Sequence, residues 1–403
     1  MSIQDLVTPK GAQLLRTLPP YCESEVFSLT TKLRKQGHSS ELISSALTQI
    51  RLRAKALAKF PSAMAAQMLF TADGLEQATR HSISQLHASH FIHHNIRTIT
   101  DLGCGIGADS IAFAEAGIGV KAIEIDSATA TAAQHNLSRY NHAELIHADG
   151  TRIDFSTLKT DAIWLDPARR LHGKRINDPE RWQPSLSQAI SFGRKFKAAG
   201  IKIAPGISYQ NLPSDAFVTW ISTDGNLLDA VIWLGGAAPD SGRAAWVIAA
   251  GMDGTCVVNK LTDTKTDPSN EPVFLPPREL RDFIYEPDPA IMRAGLIYRV
   301  AEEFDLAPVS ARIAYLSTDK EIASPFLSKF KVLEVLPLNP KKARKRLHDL
   351  AIGSVEIKKR GTDIAPEVFR KALNLDRTQK KSATLFATQI LGKHVLIIAE
   401  RCK

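Results

Sequence analysis

Three acids and three glycines stand at spacings that could hold a nucleoside. Residues 100–107 read Thr-Asp-Leu-Gly-Cys-Gly-Ile-Gly, so that an apolar run (Ile96, Ile99) leads into Asp101 and then into Gly103, Gly105 and Gly107. A tight glycine turn between a strand and a helix lets a nucleotide-like ligand lie against bare backbone, because no Cβ stands in its way. The next apolar run ends in Glu124, and an acid there can accept both hydroxyls of a ribose. Asp149 closes a third run, His147-Ala148-Asp149, where a carboxylate can accept from an exocyclic amine of adenine. Ile125 and Gly150 beside those acids, and Cys104 inside the turn, complete the candidate cofactor-binding set. Cys104 is foremost a small space-filler there.

A fourth run, Asp161 to Leu165, ends in Asp166-Pro167-Ala168-Arg169. Ligands of open α/β sheets lie at such strand ends, so Asp166 and Pro167 are candidate catalytic positions, with Arg169 able to stack on a base or bind phosphate. Arg170, Lys174 and Arg175 follow in a basic loop that could guide phosphates, or that is simply solvated. Taken singly, each of these acids reads as an ordinary cap or surface group, and Asp166-Pro167 as a strand-ending turn. The pattern Gly103-x-Gly105-x-x-Ala108 would also pass as a loose nicotinamide fingerprint.

The elements that must carry these residues alternate. Residues 20–95 read as helical, with one helix opening at Ser39-Ser40-Glu41 and another running from Leu75 to His94. Strands are expected at Thr98–Leu102, Val120–Ile125, Glu144–His147, Ala162–Leu165, Ile201–Ala204, Leu228–Leu234 and Ala245–Ala250, and helices at Asp109–Ala116, Ser127–Tyr140 and Pro184–Ala198. That alternation predicts a mainly parallel sheet with helices on both faces. The last two strands have no helix between them, and residues 235–242 read as a hairpin loop. Residues 259–277, polar and proline-bearing, read as a linker. An α+β region over 278–403 follows, with helices at Pro289–Phe304, Pro340–Leu350 and Pro366–Leu373 and strands at Phe330–Leu336, Ser354–Lys359, Ala383–Ile390 and His394–Ala399.

Composition bounds the class. The chain has 403 residues, 44% of them hydrophobic, which suits a globular protein of more than one domain. No apolar stretch approaches the roughly 18 residues of a membrane span, and Met1 to Asp5 lack the features of a signal peptide, so a cytoplasmic protein is expected. The four cysteines are far apart and the twelve histidines show no metal spacing, so no metal is expected. Residues 331–403 hold 17 Lys+Arg against 7 Asp+Glu, whereas residues 1–330 hold 34 against 35. The basic excess thus sits in the C-terminal segment, which points to a polyanion such as RNA, or to a solvated basic face.

In order, the run Asp101 to Gly107, then Glu124, then Asp149, resembles class I S-adenosylmethionine-dependent methyltransferases over about residues 90–255. The resemblance implies S-adenosylmethionine as cofactor, Glu124 on its ribose and Asp149 on its adenine. Asp166-Pro167 resembles the Asp-Pro-Pro-aromatic motif of enzymes that methylate exocyclic amines of bases, with Ala168 and Arg169 replacing the second proline and the aromatic. Glu356 to Thr362, with Lys358, Lys359 and Arg360, then Pro366-Glu367 and the closing strands, look like the THUMP-like C-terminal domain of a bacterial group of these enzymes; THUMP domains proper bind RNA. Leu75 to Thr79 and Tyr285 to Pro289 resemble the same group. The expected fold is α/β: a Rossmann-like class I sheet, mostly parallel with an antiparallel hairpin edge, over 96–258, an N-terminal helical region over 1–95, and an α+β region over 278–403 with its THUMP-like part at about 330–401. The expected function is methylation of a base in RNA, with a small molecule or protein as alternative substrate, or an RNA- or cofactor-binding module without transferase activity.

Overall fold

The computed structural model describes residues 3–171, 174–250, 256–264, 266–376 and 378–402, with the side chains at 170, 171, 174, 175 and 250 also outside the description. The chain divides into two compact units, Met1–Ile203 with Ile232–Pro239, and Ala204–Val231 with Asp240–Lys403.

The first unit begins with helices at Gln4–Val7, Pro9–Thr17, Val26–Lys35 and α1 (Ser40–Ala56). Ser39 opens α1 by accepting from the Leu42 amide, one of the four donors a helix start leaves orphaned. The helix expected from Leu75 to His94 is two helices, α2 (Ala72–Gln77) and α3 (His81–His93). Between them Ala78 and Arg80 are extended, with ψ 137° and 139°. Apolar spacing carried no sign of this break, which is fixed by distant partners: Lys59 Nζ donates to the carbonyls of Leu75, Glu76 and Ala78, and Thr79 turns inward to partners described below.

Five strands form the parallel part of this unit: β1 (Thr98–Leu102), β2 (Gly119–Glu124), β3 (Ala143–His147), β4 (Ala162–Leu165) and β5 (Ala198–Ile203), in the order β5-β4-β1-β2-β3. Helices α4 (Ala108–Glu115), α5 (Ser127–Leu137) and α6 (Leu186–Gly193) make the crossovers. A Ser185/Gln188 capping box sets the start of α6, two residues after the expected one. Strands β4 and β5 are buried along their whole length, as expected of parallel strands covered on both faces. Under β4 the Trp164 ring packs against His87, Phe91, Phe113 and Trp233 at 4.5 to 6.1 Å between centroids. Gly200 is obligatory beside them, since a Cβ there would stand 2.6 Å from the Trp164 ring.

In the second unit β6 (Phe217–Thr223), β7 (Asn226–Gly235), β8 (Gly242–Ala250) and β9 (Cys256–Asp263) neighbour one another in the order β9-β8-β6-β7. Strand β7 carries residues of both units, and its end (from Ile232) borders β5 in the first. The antiparallel edge is therefore not the hairpin expected across residues 235–242. Strand β8 pairs parallel to β6 and antiparallel to β9. The hairpin is β6–β7, closed by Asp224 and Gly225, both left-handed at φ 50° and 71°. Asp-Gly is a strong signal for such a two-residue turn, because its backbone twist matches that of the strands. Strand β9 also takes the first residues of the expected linker.

The second unit continues with β10 (Phe283–Pro287), α7 (Pro289–Arg293) and α8 (Ile297–Phe304). The single helix expected over Pro289–Phe304 breaks between α7 and α8 at Gly295, φ 71°. Then come β11 (Leu327–Pro337), α9 (Pro340–Asp349), β12 (Ile352–Lys359), α10 (Pro366–Leu373), β13 (Lys381–Ile390) and β14 (Lys393–Arg401). The sheet runs β10-β11-β14-β13-β12, with short strands Leu316–Thr318 and Ala307–Pro308 beyond β10. Ala343, Leu347, Phe369 and Leu373 of α9 and α10 cover one face through Leu385, Leu396 and Ile398, while Tyr315, Phe330, Phe386 and Ile397 form the core on the other.

Candidate active site

At the carboxyl end of β1 the chain turns through Gly103, Gly105 and Gly107, all left-handed at φ 78°, 58° and 86°. A side chain at these values is strained, which explains three glycines in five residues. The amides of Gly103 and Cys104 both donate to the Ile123 carbonyl at 2.9 and 3.0 Å, pinning the turn to the end of β2. No atom lies within 4 Å of where a Cβ would stand on Gly103 or Gly105. That open space beside bare backbone is what a nucleoside-bearing cofactor requires. Below the turn, Asn136 Nδ2 donates to the Ile106 and Leu69 carbonyls and its Oδ1 accepts from the Leu69 amide.

Glu124 is buried at the end of β2, where Oε2 accepts from the Gly105 amide at 2.9 Å and Oε1 from the Asp126 amide at 2.8 Å. It holds the turn and, with a spare lone pair on each oxygen, can still accept from ribose hydroxyls. Beside it Ile125 is 64% exposed, an apolar surface aimed outward where an adenine ring could lie. Asp149, at the end of β3, accepts from the Thr151 amide and hydroxyl at 3.0 and 2.7 Å and pairs with Arg152 at 3.1 Å; the Thr151 bonds hold its carboxyl below the usual range. Gly150 is sterically fixed, since a Cβ would meet Leu102 Cδ1 at 2.2 Å. Burial, with Asp101 and Glu124 close by, pushes the Cys104 thiol well up, so it packs as a neutral thiol.

Register sets the other half of the site. Strand β4 lies beside β1 with Leu165 opposite Leu102, which brings Asp166 next to Gly103 at the rim. The Lys202 ammonium on β5, only 4% exposed, donates to Asp166 Oδ2 at 2.5 Å and to Thr79 Oγ1 at 2.9 Å. Thr79 in turn donates to Asp109 Oδ2 at 2.7 Å, and His87 Nδ1 to Asp109 Oδ1 at 2.9 Å. Burial alone would raise the Asp109 carboxyl, but the His87 bond and charge, with Lys202 and Thr79, hold it well below the carboxylate range. Asp101, 1% exposed, accepts from the Ser110 hydroxyl at 2.5 Å. Burial and neighbouring Asp109 and Asp166 push its carboxyl up to about 8 against Ser110 and Lys202. A cationic group entering the site would favour its ionised form.

Sequence reasoning named Asp101 and Asp166 but not the network between them. Lys202 could have been found as a lone charge in the buried run Ile201-Lys202-Ile203, and Asp109 as an acid on a helix buried throughout its first seven residues. Leu75 and Thr79 are the buried members of the Leu75–Thr79 motif, Thr79 being the polar one, while Glu76 and Gln77 are exposed. Pro167 is buried, and Ala168 pairs with Gln183 through both backbone groups. Arg169 is half-buried, its carbonyl accepting from the Ile176 amide at 2.8 Å. The side chains of Arg170, Lys174 and Arg175 lie outside the described residues.

The basic residues expected to hold substrate in the C-terminal region are engaged locally. Lys358 Nζ pairs with Glu286 at 2.7 Å and Glu356 at 3.1 Å, Arg360 with Glu286 at 3.3 Å, and Lys359 Nζ donates to the Ile364 carbonyl at 2.9 Å. Exposed and without such pairing, among the described residues, are Lys341, Lys342, Arg344 and Lys345 of α9. Tyr285 and Asp288 are structural in this unit: Tyr285 Oη donates to the Lys320 carbonyl and accepts from the Ile322 amide, and Asp288 caps α7. No group of three His, Cys, Asp or Glu among the described residues is arranged to hold a metal, and no described helix is long and apolar enough to cross a membrane.

Comparison with known proteins bears on this geometry. Residues 99–179 match a family described as a methyltransferase domain, residues 327–401 one described as THUMP domain-like, and residues 1–56 a domain of unknown function. An uncharacterized S-adenosylmethionine-dependent methyltransferase of Mycobacterium tuberculosis, in strains CDC 1551 and H37Rv, is 29% identical over 340 residues, covering 83% of this chain and 88% of the relative. A crystal structure from Porphyromonas gingivalis W83, described as a candidate methyltransferase, shares the fold with a TM-score of 0.70 at 19% identity, over 96% of this chain and all of the other. The chain therefore carries a class I methyltransferase domain and a THUMP-like domain at its C-terminus. S-adenosylmethionine is the cofactor of that domain.

Proposed function

We propose that this S-adenosylmethionine-dependent methyltransferase, a class I domain joined to a THUMP-like one, methylates a base in RNA. The observation that carries the reading is the register of β1 and β4, which sets a carboxylate, Asp166, beside the open glycine turn. When bound, the cofactor supplies a methyl group on a positively charged sulfur. The chain's own residues do the rest: Gly103 and Gly105 leave room, Glu124, Ile125 and Asp149 take the nucleoside, and Asp101 faces the amino-acid end. Asp166 accepts a hydrogen bond from the nucleophile, and Pro167 shapes the rim. Holding the two reactants in line is the larger part of such catalysis.

RNA as partner is supported by the THUMP-like resemblance and by the basic balance of residues 331–403. We assign RNA contact to Arg169 and the loop of Arg170, Lys174 and Arg175 in the first unit, and to Lys358, Lys359 and Arg360 and the exposed cations of α9 in the second. The protein works in the cytoplasm on this reading. The pairing of Lys358 and Arg360 with Glu286 favours a second reading, in which this face is structural and the substrate is a small molecule or protein. Tritium transfer from labelled S-adenosylmethionine into RNA of a strain lacking the gene separates them. Label in one RNA fraction, lost with Asp166→Ala, is expected; tight S-adenosylhomocysteine binding with no label would refute the RNA reading.

A further inference from the structure

The network beneath the rim contains a cation that the methyl-transfer reading leaves unused. Lys202 lies in a strand whose six residues are all buried, and its ammonium meets one oxygen of Asp166. A buried ammonium is costly unless paired and hydrogen-bonded; here Asp166 supplies the counter-charge and Thr79 a second acceptor. Thr79 donates a hydrogen bond to Asp109, which accepts from His87 on its other oxygen. The chain of bonds thus runs from α3 through α4 and the α2–α3 break to β5, and ends on the rim carboxylate. Asp166 Oδ1 accepts no hydrogen bond among the described residues.

We propose that Lys202 is a positioning residue of the transfer site: its ammonium holds Asp166 by one oxygen, leaves the other toward the substrate, and so orients a nitrogen acceptor that keeps its proton until after methyl transfer. The inference rests on the reading of Asp166 as the group facing the acceptor. A carboxylate tied to an ammonium is a good hydrogen-bond acceptor and a poor base. It can orient an N–H, as a base amine requires, but it does not strip a hydroxyl. In the balanced step, the acceptor nitrogen's lone pair forms the N–C bond as the C–S bond breaks, the sulfur leaves as a neutral thioether, and the surplus proton leaves the nitrogen for water. The charged groups that face Asp166 among the described residues are Lys202 on β5 and Asp101 on β1, with Asp109 of α4 and Lys59 near Lys202.

The test uses the full chain as wild type, Lys202→Met and Lys202→Arg, the last of which restores a cation at the same position. In Lys202→Met the loss is expected in kcat rather than in KM, with part of it restored in Lys202→Arg. The kcat for transfer should fall on the order of 10²-fold, with S-adenosylhomocysteine affinity unchanged, and digests of wild-type product RNA should contain an N-methylated nucleoside. An unchanged kcat in Lys202→Met, or an O-methylated product, would overturn the proposal. Should Lys202→Met not fold, Thr79→Val keeps the lysine and removes its second acceptor together with the Thr79 bond to Asp109; a smaller fall in kcat supports the proposal and none refutes it. Label in a protein or small-molecule fraction instead of RNA, lost in Lys202→Met, would sink the RNA reading and leave the positioning role standing.

Discussion

The two ends of this chain handle charge in opposite ways. In the methyltransferase domain, Asp101, Asp109, His87 and Lys202 are almost wholly removed from water and each meets a specific partner. On α9 of the THUMP-like domain, Lys341, Lys342, Arg344 and Lys345 stand exposed. Exposed charges are individually cheap and screened by salt, whereas a buried charge that loses its partner costs several kcal/mol. The first arrangement fixes positions to fractions of an ångström; the second provides a field. A catalytic site needs the former, and a polyanion surface is served by the latter.

That contrast can be broken first at Asp109. Asp109→Ala strips His87 and Thr79 of their shared acceptor and should destabilise the fold by ~3–5 kcal/mol, read by urea unfolding; a loss under 1 kcal/mol would place the network among ordinary surface contacts. Because the folded carboxyl of Asp109 is held low, its stabilisation is present above the unfolded value and is lost as pH falls through the folded one. Asp101 has the reverse sign. Its carboxyl is raised to about 8 in the fold, so it stabilises below its ordinary value and progressively opposes folding as pH rises toward 8. Asp101→Asn should therefore melt a few degrees above the wild type at pH 8 and match it near pH 4, and equal melting at both would remove Asp101 from the account.

Glu124→Gln should weaken S-adenosylhomocysteine by roughly 10- to 100-fold, the cost of one or two charge-assisted hydrogen bonds, and should also cost about 1–3 kcal/mol of stability, since one of the two backbone amides it accepts from loses its acceptor. Isothermal calorimetry reads this directly. The smallest effect belongs to the exposed face: Lys345→Ala should lower the salt slope of RNA binding by about one and leave cofactor affinity alone. A flat salt response in the wild type would end the polyanion argument for this helix.

Sequence alone located the glycine turn, Glu124, Asp149 and Asp166, because each is a local signal: a residue type at a strand end. Strands Thr98–Leu102 and Ala162–Leu165 and helix Pro366–Leu373 have the bounds expected of them. What was not legible depends on distant partners. The break at Thr79 answers to Asp109 and Lys202, 30 and 123 residues away, and apolar periodicity is blind to both. The edge of the sheet was misread for a different reason. Phe217 to Thr223 and the Asp224-Gly225 turn carry good local signals, but the longer glycine-rich segment at 235–242 drew the hairpin to itself. Lys202 stood in plain view as a charge inside an apolar strand, and only the fold shows that it points to Asp166.

The most direct test of methyl transfer to RNA is nucleoside mass spectrometry of digested total RNA from a strain lacking the gene, complemented with wild type or with Asp166→Ala. The account predicts one N-methylated nucleoside that disappears on deletion, returns with the wild type and stays absent with the variant. Unchanged levels of every methylated nucleoside on deletion, or full return with Asp166→Ala, would contradict it.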